Sequence, residues 1–205
     1  MEQLPFVLTV FFMLLGPAKI IGPFAELTRG ANTKFKRDVA IRGAVIAAAI
    51  CTFAAVAGGI LLNRYRISLD GLRVSGGLVL MISALQAIFR KEEHPGPRVG
   101  TPTAIQLAAS PIAVPVIVPP AGVVSILMFT MWEPQFPGIR QAVALSLAAM
   151  MAANFLVMFF IDRVVRIPGL MIVLTVLGSV LIFMQLGLSV EMILTCLRSL
   201  GVLHA

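Results

Sequence analysis

Six stretches of this chain are each eighteen residues or longer and mostly apolar: residues 4–27, 39–62, 72–89, 102–131, 139–161 and 168–197. A bilayer core about 30 Å thick is crossed by about 20 helical residues, so each stretch is long enough to span it. Composition points the same way. Hydrophobic residues make up 59% and charged residues 12%, whereas soluble domains average about 45–50% and about 25%. So little polar surface cannot face water on all sides, and lipid must serve as the solvent. Six spans of about 20 residues leave about 85 for connections and tails. No soluble ATPase module or ectodomain is expected in that remainder.

The formal net charge of +7 is read as membrane topology, not as nucleic-acid binding. Ten of the sixteen Lys and Arg fall in the connections after the first, third and fifth stretches, from Arg29 to Arg42, Arg90 to Arg98, and Arg163 to Arg166. Five fall on the other side: Arg64, Arg66, Arg73, Arg140 and Arg198. Lys19 lies inside the first stretch. Basic residues gather on the cytoplasmic side, which predicts both termini outside the cytoplasm. The start Met1-Glu2-Gln3 lacks the basic region of a signal peptide, so the first stretch is expected to remain in the protein. Cys51 and Cys196 sit in apolar runs and read as small buried hydrophobes. His94 and His204 form no ligand cluster, and no metal or cofactor is expected.

Proline placement separates two of the stretches from the rest. Six of the 13 prolines lie in the interior of apolar runs: Pro17 and Pro23 in the first, and Pro111, Pro115, Pro119 and Pro120 in the fourth. Proline removes a backbone donor and clashes with the preceding turn, so neither run can be one continuous helix. Non-helical backbone at membrane depth must be buried in protein or line a watery cavity. The two interruptions are therefore expected to meet inside the protein.

The polar connection near residue 100 divides the chain into residues 1–100 and 101–205, each with three spans of which the first is broken. Three is odd, so the second half enters the membrane inverted. The predicted fold is an all-α membrane protein of six transmembrane helices, arranged as two inverted three-helix repeats. Matched interruptions in inverted halves mark the midplane site of a secondary transporter. A helix that starts at a break offers N–H groups, which suit a carboxylate, and one that ends there offers carbonyls, which suit a cation or ammonium. A small zwitterion such as a neutral amino acid fits that chemistry.

At these residues the chain resembles the MarC family of six-span membrane proteins, also called the neutral amino acid transporter family. Gly16-Pro17 through Phe24 to Leu27-Thr28 is similar to the family's Asn-Pro motif. Ile67 to Gly77 is close to its "(F/L)RIAGG" run, and Pro111-Ile112-Ala113-Val114-Pro115 through Pro119-Pro120-Ala121-Gly122 is similar to "PLAIPLIAGPG". The resemblance implies a multi-pass inner-membrane transporter of small neutral amino acids, driven by a proton or Na+ gradient. Gly16 stands where the family carries asparagine, Lys19 takes a glycine position, and Pro23 comes one residue late. These departures fall where substrate would bind.

The expected substrate-binding residues are Gly16, Pro17, Lys19, Gly22, Pro23, Pro115, Pro119, Pro120, Gly122 and Asn154, the last because it lies near the middle of its span. For Lys19 three readings stay open: a partner for a substrate carboxylate, a tethered ammonium in place of a coupling cation, or a side chain snorkelling to headgroups. Glu26, Asp70 and Arg73 are candidates for gating or coupling, the last two at a spacing that lets them pair on one helical face. Gln86 and Gln185 are further polar residues within spans. Ser75-Gly76-Gly77 reads as a close-packing surface, and Asp162 with Arg163 as a solvated loop pair. No nucleophile elbow, zincin pair or phosphate-binding loop occurs, which argues against an enzyme. A channel or exporter for another solute, and a non-transporting membrane regulator, remain alternatives. The sequence is compatible with a homo-oligomer and does not specify one.

Overall fold

The computed structural model describes residues 3–89, 103–132 and 136–202, without the side chain of Met171. Met1, Glu2, Arg90, Lys91, His94, Arg98, His204 and the proposed boundary at residues 100 and 101 lie outside the described residues. Helix α1 runs over Leu4–Leu15 and stops at Gly16, whose backbone is extended. A tight three-residue turn, Pro17–Lys19, leads into α2, Ile21–Leu27. The long α3, Thr33–Arg64, is capped by the Asn32 side chain, which accepts from the Phe35 N–H at 2.7 Å. At 32 residues it measures about 48 Å, longer than the bilayer core is thick. Helix α4 covers Leu69–Phe89.

The next described element is α5, Ala104–Leu107, closed at its start by a reciprocal capping box between Thr103 and Gln106. A wide-turned segment, Ala108–Ile117, follows, with extended backbone at Ser110 and Val114, each immediately before a proline. That placement has a simple cause, since a proline disfavours helical backbone in the residue before it. Helix α6, Pro120–Met131, then starts with proline at a position where no donor is missed. Helix α7, Ile139–Phe159, begins after Gly138, and α9, Leu170–Ser199, after Gly169. Both glycines have positive φ, the region that favours glycine. The short α8, Ile161–Val164, lies between them.

Five segments are long and apolar enough to cross a membrane: Leu4–Leu27, Thr33–Arg64, Leu69–Phe89, Ile139–Phe159 and Ile172–Ser199. A sixth arises if Ala104–Ile117 and Pro120–Met131, bent by 59°, count as one broken span. The described residues contain helices and turns and no strand. The fold is thus an all-α membrane protein. The two interruptions differ in kind. The first falls between Gly16 and Ile20, and Pro23 sits in the first turn of α2, where it breaks no helical hydrogen bond. The second redirects the chain.

Helix α4 packs along α9, α3 along α7, and α1 against α7 and α6, while α3 also covers the wide-turned segment. Gly76 and Gly77 are buried in these contacts. A β-carbon at Gly77 would lie 2.9 Å from the Ser189 carbonyl oxygen of α9. Small residues here let two helices approach closely. Cys51 and Cys196 are buried free thiols. Exposed Phe53, Val56 and Ile60 on α3, and Ile172, Val176 and Phe183 on α9, form apolar outer faces suited to lipid.

Candidate functional site

Helix α1 ends with its last carbonyls short of helical donors, as every helix does. Gly16 fixes the stop, because a β-carbon there would run into the Phe12 carbonyl oxygen. The Leu15 carbonyl is met from α7 by Asn154, whose Nδ2 donates to it at 2.8 Å. Asn154 is 1% exposed, and its Oδ1 has no hydrogen-bond partner among the described residues. An acceptor in a buried, apolar setting with no donor is costly, and it lies directly beside the break.

Lys19 ends the tight turn after Pro17 and is half-buried. Its Nζ donates to Gln185 Oε1 on α9 at 2.9 Å, and Gln185 Nε2 donates to the Leu80 carbonyl on α4 at 3.1 Å. Gln185 is 2% exposed. One amide therefore ties the first interruption to α4 and α9. In this conformation the ammonium is engaged by a neutral side-chain oxygen.

At the second interruption the first turn of α6 offers little to a ligand. Pro120 has no N–H, and the N–H groups of Gly122 and Val123 turn back onto the Pro119 carbonyl at 2.9 and 3.3 Å. The expected row of free donors is therefore mostly used within the turn itself. The two interruptions do touch at their edges. Gly122 is buried, and a β-carbon there would come 2.5 Å from Leu15 Cδ2. Without a side chain at residue 122, α6 starts directly against the end of α1.

Of the expected binding residues, Gly16, Gly122 and Asn154 are buried, and Pro17, Lys19, Gly22 and Pro119 are half-buried. Pro23, Pro115 and Pro120 are exposed and do not join the cluster, nor does Glu26. Gln86 is exposed as well. Asp70 and Arg73 form an ion pair of 3.0 Å at the start of α4. Asp162 pairs with Lys36 at the start of α3, at 2.6 Å, and not with Arg163, whose guanidinium lies over the Phe160 ring. The Lys36 hydrogen bond holds the Asp162 carboxyl below its ordinary value of 3.8. Arg37 stacks on Phe159, 4.7 Å from the ring centre. The α3 start is thereby fastened to the α7–α8 junction.

On the opposite side, where α1 and α4 begin and α6 and α9 end, a cavity of about 190 Å³ opens. Its walls include Leu14, Leu80, Phe129 and Leu188, with Arg73, Glu191 and Trp132 also lining it. Trp132 Nε1 is buried and has no acceptor among the described residues. Sequence reasoning missed Trp132 and Glu191. The sole tryptophan and an acidic residue inside the last apolar run were the available signals. Among the described residues, no group of three or more His, Cys, Asp or Glu gathers as a metal site.

Broken helices, apolar outer faces and polar side chains turned inward define a multi-pass integral membrane protein. More particularly, the chain belongs to the MarC family: the model of the MarC family integral membrane proteins matches residues 1–200. It is 26% identical over 194 residues to a UPF0056 membrane protein of Methanocaldococcus jannaschii, covering 91% of this chain and 92% of that one. A UPF0056 membrane protein of Archaeoglobus fulgidus is 24% identical over 118 residues, 56% of this chain and 55% of that one. No solved structure matches the chain.

Proposed function

We propose that this protein is a secondary active transporter, not an enzyme, and that it moves a small neutral amino acid or similar zwitterion by alternating access. The observation that carries this reading is the contact of the two interrupted segments at Leu15 and Gly122, with the Lys19–Gln185 and Asn154–Leu15 hydrogen bonds beside it. Interrupted helices that meet in a protein interior supply polar backbone where a solute can be held. The packing supports two inverted halves, residues 1–100 and 101–205. First spans lie against each other as α1 and α6, second spans as α3 and α7, and third spans as α4 and α9.

The distribution of Lys and Arg supports an inner-membrane orientation with both termini outside the cytoplasm. A proton or Na+ gradient drives net flux in this reading. The test is counterflow in proteoliposomes with a panel of labelled amino acids, with and without pH and Na+ gradients. Trans-stimulated uptake of at least one neutral amino acid is expected. Flux that saturates weakly and shows no counterflow would identify a channel instead.

A further inference from the structure

The cavity between α1, α4, α6 and α9 does not coincide with the interrupted segments. It comes within two residues of the break, at Leu14, and reaches Leu80, whose carbonyl is held by Gln185. We propose that this cavity takes the whole amino acid and selects those with a large aliphatic side chain, such as leucine. The proposal rests on the transport reading for its biological meaning, though not for the binding itself.

Four properties of the cavity argue for that ligand. Its volume of about 190 Å³ is below the ~300–1,000 Å³ of pockets for drug-sized ligands, which suits a small metabolite. Its walls are aliphatic and aromatic, so a polar side chain would lose water there without replacement. The hydroxyl of Ser125, which lines the cavity, is already committed to the Gly122 carbonyl at 2.7 Å. Finally, the polar groups that do line it are complementary to a zwitterion's two charges.

On the donor side stand Arg73 and Trp132. Arg73 gives one N–H to Asp70, and a guanidinium has five. The Trp132 indole N–H is buried without an acceptor among the described residues. Together they fit a carboxylate. On the acceptor side Glu191 lines the exposed rim of the same cavity, ion-paired with Arg198 at 3.3 Å and accepting from Thr195 at 3.4 Å through one carboxylate oxygen, Oε1. Its carboxylate fits an ammonium group. The fatty-acyl chain of a lipid would use the apolar wall but neither charged group.

Trp132 is the only tryptophan in the chain, so its emission reports on this cavity directly. The wild-type protein would be placed in nanodiscs of phosphatidylcholine and phosphatidylglycerol and titrated with leucine, alanine, 4-methylpentanoate and 3-methylbutylamine. Leucine is expected to change Trp132 emission saturably, and alanine to give no change at ten times the concentration. The two half-ligands, which lack the ammonium or the carboxylate, should bind at least ten-fold more weakly. Arg73→Gln should weaken leucine binding at least ten-fold, and Leu188→Phe, which fills the cavity, should remove it.

An equal response to alanine and leucine, or no saturable response to leucine, would overturn the pocket. So would emission that responds only to brominated phosphatidylcholine chains, which would make the occupant a lipid. Because the decisive titrations use the wild type, a misfolded variant cannot mask the result. Counterflow of leucine without a Trp132 response would reject the pocket and leave the transporter. Leucine binding without counterflow of any amino acid would reject the transporter and leave the pocket.

Discussion

Lys19 and Gln185 form a pair whose members depend on each other. Removing the amide alone, in Gln185→Leu, leaves a half-buried ammonium without its partner. A cost of about 1–3 kcal/mol is expected from leaving such a group unpaired. Removing both partners, in the double variant Lys19→Met with Gln185→Leu, should recover much of that loss, because two apolar groups leave no charge stranded. Thermal unfolding of the two single variants and the double variant in one detergent measures the coupling. A double variant no more stable than Gln185→Leu would reject it. Each polar residue was visible as an exception within an apolar run. Their pairing was not, since local spacing says nothing about residues 166 positions apart.

Elements are held by contacts of a different kind. The α4–α9 interface depends on Gly77, where a β-carbon would meet both the Ser189 carbonyl and Ile193 Cγ1. Gly77→Val should therefore force the helices apart and lower stability by about 1–3 kcal/mol, the usual cost of overpacking. Gly59→Val, at a position with open space, is the control and should be close to neutral. At the other face, α3 and α8 are joined by Lys36 and Asp162. Because the Asp162 carboxyl is held below 3.8, its contribution is present above the unfolded value and is lost as pH falls through the lower folded value. Asp162→Asn should thus flatten the acid dependence of the unfolding temperature below about pH 4, measured between pH 6 and the acid limit of folding. The proline pattern made both interruptions legible, since its cause is local. It did not give their different shapes: one is a short turn and the other a 59° bend. Those shapes depend on which helices press against them.

Across the whole molecule, the positions of the termini and connections are open to direct measurement. In a background of Cys51→Ser and Cys196→Ser, single cysteines at Asn63 and Lys34, both exposed, lie at opposite ends of α3. A membrane-impermeant maleimide added to intact cells should label the cysteine at residue 63 and leave that at residue 34 unlabelled until the membrane is permeabilised. The reverse pattern would invert the orientation. The half-buried link between the first and last spans also bears on how the chain is made. Lys19 enters the membrane early, and Gln185 follows it by 166 residues. At about 5–20 residues per second, synthesis of that interval takes about 8–33 s. Through that interval the turn that carries Lys19 is without its Gln185 partner. The first helix to be inserted is thus the last to be completed electrostatically, and its final seating waits on the emergence of the sixth span.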